Sequence, residues 1–577
     1  MTVAAWMTVA VFAAIVMLSV TDRTDPAFVL AGGVGVLLLT GVLTPRRALD
    51  GLANPAVLAI GCLFVLVRAV ERSSFLSRLA TILYGGASDS GGIKPLGIVA
   101  GISAFVPNAT VVAVLMPAVR QWAREHRLTP SRLLMPAGFA ATLGGILTLI
   151  GTSSNLVVNG LLLGRGDPGL GFFELATAGL PVAIAGIVYL AVAGPHLLPK
   201  RSDPIGELNE NPREYIGWLR VVPGGRFDGV PVGHLRSLEE LFVAGIERNG
   251  QSVTPAEPSQ RLQAGDILML VGRVDGIAKL AARGGLAPVE GGEPGLDLVE
   301  AVISPSSPMI GRNIRESGFR GRYDAVVLAV HRHGEHLRGK IGDIVVQPGD
   351  VLLVASGNDF LQRWRFARDF YVVSPTGRLP RLPDSGSWIA PVILAAVVVA
   401  VALGGLSLVQ ATVAGVLAAV ITGRLRPSEV WAAIPLPTLV MIAASISLSH
   451  AMEDSGCARQ LVGLALGEAH RVGPATMITI ILVVAALLTE LMDNPAAAAV
   501  VFPLAMTGAA LGHVPVHAAA AAVAIGVSTS FLTPFGYHAN LIVAGAGGYR
   551  FRDFIRLGLP LKLVCLATAA VMIPLIW

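Results

Sequence analysis

Four short stretches of this 577-residue chain place hydroxyl, amide and carboxyl side chains inside otherwise apolar sequence. They are residues 103–110, 151–155, 489–495 and 528–540. Hydroxyls, amides and freed backbone carbonyls supply the oxygen ligands that a dehydrated hard cation prefers. Glycines and prolines interrupt the same stretches, and a helix that begins at an interruption points N–H groups and a partial positive charge at an anion. The stretches therefore predict a cation site beside an anion site, built without a fixed basic residue.

The content of hydrophobic and charged residues indicates which kind of structure surrounds these stretches. The chain is 53% hydrophobic and only 14% charged, with a mean hydropathy of +0.68, whereas a soluble domain is about a quarter charged. Of its 81 Asp, Glu, Lys and Arg residues, 46 lie in the 186 residues 200–385 and 35 in the other 391. This contrast predicts a membrane protein with a soluble insert. We divide it into a first transmembrane repeat with an extra N-terminal helix (1–199), two insert modules (200–290 and 291–385) and a second transmembrane repeat (386–577).

Apolar runs on both sides of the insert are near the length of about 20 residues that a helix needs to cross a bilayer. Residues 1–20 lack a basic start and precede many more apolar runs, which favours a first spanning helix over a cleaved signal peptide. We expect about ten to twelve crossings, some of them broken. The remaining runs are 27–44, 53–70, 96–119, 133–163, 176–198, 387–405, 408–423, 432–450, 474–489, 495–512, 517–548 and 558–577.

The two membrane halves repeat each other at offsets of 379 to 386 residues. Duplicated halves with helices interrupted by glycine and proline are typical of secondary transporters, whose sites form where broken helices meet. We therefore predict a polytopic α-helical membrane protein with two inverted repeats, broken helices and re-entrant hairpins, plus a cytoplasmic α+β insert of two tandem modules. The matched landmarks are 40–45 with 422–427, Glu71 with Glu453, Asn108 and Pro117 with Asn494 and Pro503, Gly151 and Asn155 with Gly536 and Asn540, and Glu174 and 179–181 with Asp553 and 558–560.

The insert contains its own duplication, with an offset of 84 residues: 265–271 matches 349–354, and 247–250 matches 331–334. Each unit is predicted to hold short strands, a Gly-Asp turn that opens a buried strand, and a closing helix. This pattern resembles the TrkA C-terminal domain, a small ligand-sensing module. The resemblance implies a regulatory or assembly role, an unidentified small ligand, and pairing of the modules. We accordingly expect a homodimer.

The orientation follows from the loop 120–132, which carries Arg120, Arg124, Arg127 and Arg132. Short loops rich in Lys and Arg lie in the cytoplasm. One broken crossing and one return then bring the insert back to the same side. We expect a multi-pass protein of the cell inner (plasma) membrane, with residues 200–385 in the cytoplasm.

The duplicated halves together resemble the divalent anion/sodium symporter family, which carries sulfate, dicarboxylates or citrate. The likeness is to its bacterial branch with paired TrkA C-terminal insertions. That family has a Ser-Asn-Thr motif at each of two hairpin tips, and this chain keeps only the central asparagines, Asn108 and Asn494. A hydroxyl stands one helical turn earlier in both halves, as Ser103 and Thr489. Because the lost hydroxyls are those that the family offers to carboxylates, we prefer sulfate over a dicarboxylate as substrate.

The resemblance implies two sodium sites with a substrate site between them. The ion-binding residues would be Ser103, Asn108 and Gly151 in the first half and Thr489, Asp493, Asn494 and Leu532 in the second. The substrate-binding residues would be Asn108, Ala109, Thr110, Asn494, Pro495, Thr533 and Pro534. Glu490, Asn155 and Asn540 are further candidates.

The candidate carboxylates and amides have a structural interpretation beside the functional one. Glu490 and Asp493 share a helix face, and an intramembrane carboxylate is by default a cation or proton site, but Asp493 is also well placed to cap the helix that follows. Glu174 and Asp553 precede helices, which favours capping. Asn155 and Asn540 either hold the loops or touch substrate.

The leading hypothesis is sodium-coupled symport of a small divalent anion. A proton-coupled or metal-citrate carrier is the first alternative, and a ligand-gated ion channel is a more remote one. No pair of a nucleophile with a general base and no phosphate-binding loop stands out in the sequence. We therefore expect no enzyme activity and no cofactor beyond Na⁺ as coupling ion. The spread of basic residues gives no support for nucleic-acid binding. The expected partners are an inorganic or dicarboxylate anion, Na⁺ and the lipid bilayer.

Overall fold

The computed structural model describes most of the chain. The described residues are 2–20, 26–71, 73, 93–125, 129–199, 216–239, 242–248, 251–253, 256–271, 280–281, 284–289, 297–304, 307–332, 335–337, 341–356, 360–364, 369–375, 388–458, 460, 462, 473–534 and 536–577. The predicted boundaries at 200, 290 and 385 lie outside them, as do the turn residues 249–250 and 333–334 of the insert's repeat.

Helices make up the described part of the first membrane half. Their apolar sequences are interrupted at prolines, glycines and polar turns, where the helices start and stop. They are α1 (Val3–Val20), α2 (Pro26–Leu39), α3 (Pro45–Leu49), α4 (Pro55–Glu71), α5 (Ile93–Ser103), α6 (Asn108–Glu125), α7 (Leu134–Gly145), α8 (Ser153–Gly164) and α9 (Glu174–Leu197).

The described residues of the insert include the short helices α10 (Val232–Glu239), α11 (Phe319–Tyr323) and α12 (Phe360–Trp364). The second membrane half is again helical. Its helices are α13 (Ile389–Ala402), α14 (Leu408–Ile421), α15 (Pro427–Ala433), α16 (Leu436–Asp454), α17 (Pro474–Leu488), α18 (Asn494–Leu511), α19 (Val516–Val527), α20 (His538–Gly547) and α21 (Phe551–Ile576).

Within the described residues, four helices are long and apolar enough to cross a membrane by themselves: α9, α16, α18 and α21. Eight further apolar helices are shorter. Two of the predicted continuous runs are instead divided between two short helices each, namely α7 with α8 and α19 with α20. The run 133–163 is divided at 146–152, and the run 517–548 at 528–537. The broken-helix prediction is therefore correct for both, whereas the total number of crossings stays a prediction.

The two halves are built from matching helix pairs. Helix α5 packs on α7 as α17 packs on α19, and the long helices α9 and α21 pack on each other. The repeated Gly-Leu-Pro sequence has a packing reason. A Cβ added at Gly179 would lie 2.8 Å from the carbonyl oxygen of Ile146, and one at Gly558 would lie 2.1 Å from that of Phe531. Each long helix therefore approaches the broken segment of its own half at a glycine.

The insert holds two five-stranded sheets of the same topology. The first has the order β3-β2-β4-β1-β5 and the second β8-β7-β9-β6-β10, with all neighbours antiparallel. The strands are β1 (Ile216–Val221), β2 (Phe242–Arg248), β3 (Gln251–Val253), β4 (Ile267–Val271), β5 (Leu286–Pro288), β6 (Asp297–Ile303), β7 (Ala325–Arg332), β8 (Glu335–His336), β9 (Val351–Ser356) and β10 (Phe370–Pro375).

A repeated ion pair explains the Gly-Asp signature of the insert. The Arg248 guanidinium donates to both oxygens of Asp266 at 2.8 Å, and Arg332 donates to those of Asp350 at 2.7 and 2.8 Å. Hydrogen bonding to the aspartate raises the pKa of each arginine above its usual value. The glycine before each aspartate has a φ of +88° or +81°, a conformation that favours glycine. Each pair fastens the β-hairpin to the turn that opens the next strand.

The second sheet of the insert contacts the membrane helices directly. Arg120 near the end of α6 forms a buried ion pair with Glu300 in β6, and each side chain is 7% exposed. A Cβ added at Gly545 would lie 2.6 Å from the carbonyl oxygen of Gly349, and one at Gly349 would lie 2.8 Å from Leu541. The later parts of α6 and α20 thus contact the second sheet of the insert. The N-terminal ends of the same two helices contain candidate site residues.

Candidate ion and anion site

The first candidate tip lies between α5 and α6. Ser103 ends α5, Asn108 begins α6, and both are buried. The Ser103 hydroxyl donates to Asn108 Oδ1 at 2.7 Å. The spacing of five residues therefore brings the predicted hydroxyl and amide together across the turn.

The second tip repeats this arrangement between α17 and α18. Thr489 Oγ1 lies 2.7 Å from Asn494 Oδ1 and 2.7 Å from the carbonyl oxygen of Val527. Both side chains are at most 1% exposed. The hydroxyl has one proton and cannot donate fully to two acceptors.

The orientation of the Asn494 amide decides what this tip offers to a ligand. With Oδ1 on Thr489, the buried Nδ2 has no partner in the described part of the chain. With the amide turned over, Nδ2 donates to Thr489, the threonine hydroxyl donates to Val527, and Oδ1 becomes a free acceptor. Asparagine orientations are assigned from such networks. The second orientation gives Nδ2 a partner, leaves the Thr489 hydroxyl a single acceptor, and presents an oxygen suited to a cation.

Asn155 and Asn540 hold the two breaks in the same way. Asn155 Nδ2 donates to the carbonyls of Gly145 and Thr148 at 3.0 and 2.8 Å. Asn540 Nδ2 donates to those of Ser530 and Thr533 at 2.8 and 3.1 Å. In both halves the acceptors stand ten and seven residues before the asparagine. The loop-holding interpretation is therefore correct for the Nδ2 atoms.

The other amide atom of each of these asparagines is available. Among the residues that the structure describes, Asn155 Oδ1 and Asn540 Oδ1 are buried and have no hydrogen-bond partner. A buried polar atom normally has a partner, and an exception calls for an explanation such as an ion or a water. Each helix that follows a break therefore offers one buried side-chain oxygen near its start, Asn155 Oδ1 in α8 and Asn540 Oδ1 in α20.

Gly151 and Gly536 permit the tight path of the chain through the breaks. A Cβ added at Gly151 would lie 2.6 Å from the carbonyl oxygen of Gly145. One at Gly536 would lie 2.7 Å from Ser530 Oγ and 2.9 Å from the carbonyl oxygen of Thr489. Gly151 was predicted as an ion ligand through its carbonyl, and its place in the break agrees with that role without testing it.

Contacts between the halves bring in three residues of the polar stretches that were not among the predicted site residues. Tyr537, just before α20, accepts a hydrogen bond from Asn108 Nδ2 at 2.7 Å. Ser154 in α8 lies 3.3 Å from Ser528, hydroxyl to hydroxyl. Helix α6 packs on α20, and α18 packs on α8. The first tip therefore meets the broken helix of the second half, and the two breaks contact each other through Ser154 and Ser528.

Glu490 is engaged in a buried ion pair. Its Oε1 accepts from Lys562 Nζ at 2.8 Å, and the two side chains are 8% and 4% exposed. The same oxygen accepts from the backbone N–H groups of Phe531 and Leu532 at 3.1 and 3.2 Å. Lys562 was missed, although a lysine inside the apolar run 558–577 carries the same functional signal as an intramembrane glutamate.

The remaining predicted residues fall into three places. Asp493 is the N-cap of α18, as the capping interpretation expects, but its side chain makes no capping hydrogen bond. Thr110 donates its hydroxyl to Glu71 at 2.5 Å, and Ala109 is half-buried beside it in α6. Pro495 is buried at the start of α18.

Thr533 and Pro534 lie in the second break. Thr533 Oγ1 accepts from the Gly536 N–H at 3.0 Å, and Pro534 is buried. The bond to Gly536 orients the Thr533 hydroxyl within the break.

The capping interpretation of the two outer carboxylates agrees with the structure at Asp553, whereas α9 has Phe173 as its N-cap and no side-chain cap hydrogen bond. Asp553 accepts from the Arg550 N–H at 2.8 Å in a capping box at the start of α21. Glu174 accepts from the Gly171 N–H at 2.7 Å, one turn before the body of α9. Glu174 also contacts His517 at 2.5 Å, which the sequence did not predict.

Comparison with known proteins identifies several relatives of this chain. The family model described as citrate transporter (CitMHS) matches residues 14–527. A protein of Chlamydomonas reinhardtii named putative sulfur deprivation response regulator is 35% identical over 552 residues, covering 92% of this chain and 94% of the relative. Sodium/sulfate cotransporter 2 of the same organism is 29% identical over 354 residues, covering 58% of this chain and 40% of the relative. The crystal structure of the Alcanivorax borkumensis YdaH transporter matches 97% of this chain and 98% of its own, at 14% identity and a TM-score of 0.47.

Proposed function

The chain belongs to the citrate transporter family, and from that premise we propose that it is a sodium-coupled symporter of a small divalent anion. Membership of a transporter family means that the chain is a membrane transporter and not an enzyme. It also sets aside the ion-channel alternative. Sodium as the coupling ion and sulfate as the preferred anion are our inferences from the site.

The observation that carries the sodium proposal is the matched set of buried oxygens in the two halves. Ser103 with Asn108, and Thr489 with Asn494, stand hydroxyl to amide at the same 2.7 Å. Beside each pair the helix that follows the break offers a buried asparagine oxygen. Neutral oxygens from side chains and freed carbonyls suit a small monovalent cation. We assign one ion to Ser103, Asn108 and Gly151 and the other to Thr489, Asp493, Asn494 and Leu532.

The anion is proposed to lie between the two tips, where α6 and α18 begin. Helix N-termini offer N–H groups and a partial positive charge to an oxyanion. We expect contacts from Ala109, Thr110, Pro495, Thr533 and Pro534. Thr110 already donates to Glu71, so its hydroxyl would have to change partners. The absence of flanking serines and threonines at the tips, together with the sodium/sulfate cotransporters among the relatives, supports sulfate over a dicarboxylate.

Uptake by reconstituted protein tests this proposal. Purified full-length chain in proteoliposomes is expected to take up labelled sulfate when sodium is present outside and not when choline replaces it. Unlabelled sulfate should compete better than succinate or citrate. Uptake that is the same in sodium and choline would refute sodium coupling, and stronger competition by citrate would refute the substrate.

A proton-coupled or metal-citrate carrier is the second candidate. It is favoured by Asp493, whose carboxylate stands at the second tip, immediately before α18. A carboxylate beside an anion site needs a neutralising proton or cation. This candidate predicts uptake driven by a pH gradient or by added Mg²⁺ with citrate, in the absence of sodium.

We further propose that the insert regulates transport from the cytoplasm of a plasma-membrane protein, with modules divided at 200, 290 and 385. The two equal sheets with their Arg–Asp pairs support the TrkA C-terminal assignment and, through it, a homodimer and a small regulatory ligand. Arg120 and Glu300 join the second sheet to α6, and Gly349 joins it to α20. Because both helices start at the site, movement of this sheet would reach the tips.

A further inference from the structure

One charged pair in the membrane part is not explained by ion or anion binding. Glu490 and Lys562 are 8% and 4% exposed, and a buried ion pair is often no more stable than apolar side chains in its place. Glu490 Oε1 receives three donors, namely Lys562 Nζ and the N–H groups of Phe531 and Leu532. Lys562 is fixed in turn by the carbonyl of Ala486. The carboxylate thus joins α21 to the second break.

The first half forms its break without this pair. The offset of 386 residues puts Ala104 opposite Glu490, and the offset of 379 puts Ala183 opposite Lys562. Both alanines are buried. The other features of the break are kept, including the Asn155 bonds and the close approach of Gly179 to Ile146. The charged pair is therefore an addition to the second half, not a requirement of the fold.

The geometry shows what the pair does to the backbone. In a trans peptide the C=O of one residue points opposite to the N–H of the next. When the Phe531 N–H points at Glu490, the Ser530 carbonyl points away from it, to Asn540 Nδ2 at 2.8 Å. When the Leu532 N–H points at Glu490, the Phe531 carbonyl is turned away from it, and it packs against Gly558. Two successive peptides are thus held immediately before the carbonyls of Leu532 and Thr533.

We propose that Glu490 and Lys562 form a positioning clamp that presets the second ion site and raises its affinity for the ion. The first site, which has Ala104 and Ala183 at these places, has no such clamp. The proposal rests on the proposed function in taking that ion to be sodium. Three donors share Glu490 Oε1, whereas its buried Oε2 has no hydrogen-bond partner among the described residues, so the clamping role stands beside the candidate role of Glu490 as an ion ligand.

Two double variants distinguish the effect of the hydrogen bonds to the Phe531 and Leu532 amides from the effect of the two charges. Glu490→Ala with Lys562→Ala copies the first half and removes the acceptor from the Phe531 and Leu532 amides. Glu490→Gln with Lys562→Met removes both charges but keeps a carbonyl oxygen for the two amides. Neither variant leaves an unpaired buried charge, so both are expected to fold.

Hydrogen–deuterium exchange of the full chain in nanodiscs reads the clamp directly. In the Ala/Ala variant the amides of Phe531 and Leu532 should exchange about fivefold to tenfold faster, the factor expected for one lost hydrogen bond. The Gln/Met variant should stay near wild type. Amides 143–149 of the first break serve as the internal control and should not change in either variant. Unchanged exchange in the Ala/Ala variant would overturn the clamp.

Sodium dependence of uptake then tests the positioning role. The sodium concentration for half-maximal uptake should rise about tenfold in the Ala/Ala variant and much less in the Gln/Met variant, since the loss of about one hydrogen bond is involved. Faster exchange with unchanged sodium dependence would make the pair purely structural and overturn the proposal. Sodium-independent uptake by the wild type would instead refute the proposed function and with it sodium as the clamped ion, while the exchange data still decide whether the clamp exists.

Discussion

Breaking the buried Arg120–Glu300 pair should release the second sheet of the insert from the membrane helices. Both side chains are 7% exposed, so Glu300→Gln or Arg120→Met leaves one group buried without its counter-charge. Loss of one partner of a buried pair costs about 3 to 5 kcal/mol. With each 1.4 kcal/mol worth a factor of ten, the lower figure reduces the ratio of docked to undocked insert about a hundredfold.

Limited proteolysis with proteinase K measures this ratio in the full chain. When undocking is fast relative to cleavage, the initial cleavage rate within the insert follows the undocked population. The matched control is Arg315→Met, which removes an ion pair to Asp343 in the same module where the side chains are 71% and 57% exposed. Exposed pairs contribute little, so the control should change the rate less than about fivefold.

The double variant Arg120→Met with Glu300→Met completes the test. It buries two apolar side chains in place of the charges and should restore most of the docking. A wild-type cleavage rate for Glu300→Gln would refute the reasoning. So would a double variant that is cleaved as fast as the single ones, because the loss would then not come from an unmatched charge.

Three further outcomes are expected. Asn155→Ala and Asn540→Ala each remove two hydrogen bonds that hold a break, at about 1 kcal/mol per bond. Each variant should therefore have a lower thermal midpoint and much slower uptake, and an unaffected uptake rate in either would contradict the role of the breaks. Arg332→Lys cannot form the two hydrogen bonds that the guanidinium donates to Asp350. The variant should destabilise the second sheet by about 1 to 2 kcal/mol, as measured by circular dichroism. Because Asp350 raises the pKa of Arg332, this loss of stability should be the same at pH 6 and pH 9. Burial raises the pKa of Tyr323, so as the pH rises through about 10 the unfolded chain loses that proton first and the stability falls; in Tyr323→Phe the thermal midpoint should decline less between pH 9 and 11.

The site features that depend on short spacing could be predicted from the sequence. A hydroxyl five residues before an asparagine brings Ser103 to Asn108 and Thr489 to Asn494, because the turn between two helices is short. The breaks could be placed because glycine, proline and polar residues interrupt apolar runs. The repeated Gly-Asp turn indicated strands in the insert for the same reason, since its geometry is local.

The contacts that join distant parts of the chain could not be predicted. Asn108 and Tyr537 are 429 residues apart, and Glu490 and Lys562 are 72 apart. The contact of the second sheet with α6 and α20 depends on how whole elements pack against each other. The spacing of residues along the sequence does not reveal such packing. A charged residue in an apolar run is a recognisable signal, so Lys562 could have been predicted as a candidate residue from the sequence. Its partner, Glu490, could not have been predicted.

Equilibrium binding of labelled sodium to the purified chain is the most direct test of the central claim, that the two matched tips hold the coupling ions. Two sodium ions should bind per wild-type chain, and a single ion should bind to Asn108→Ala and to Asn494→Ala, with circular dichroism showing that both variants stay folded. Full sodium binding by both folded variants, or none by the wild type, would contradict this claim.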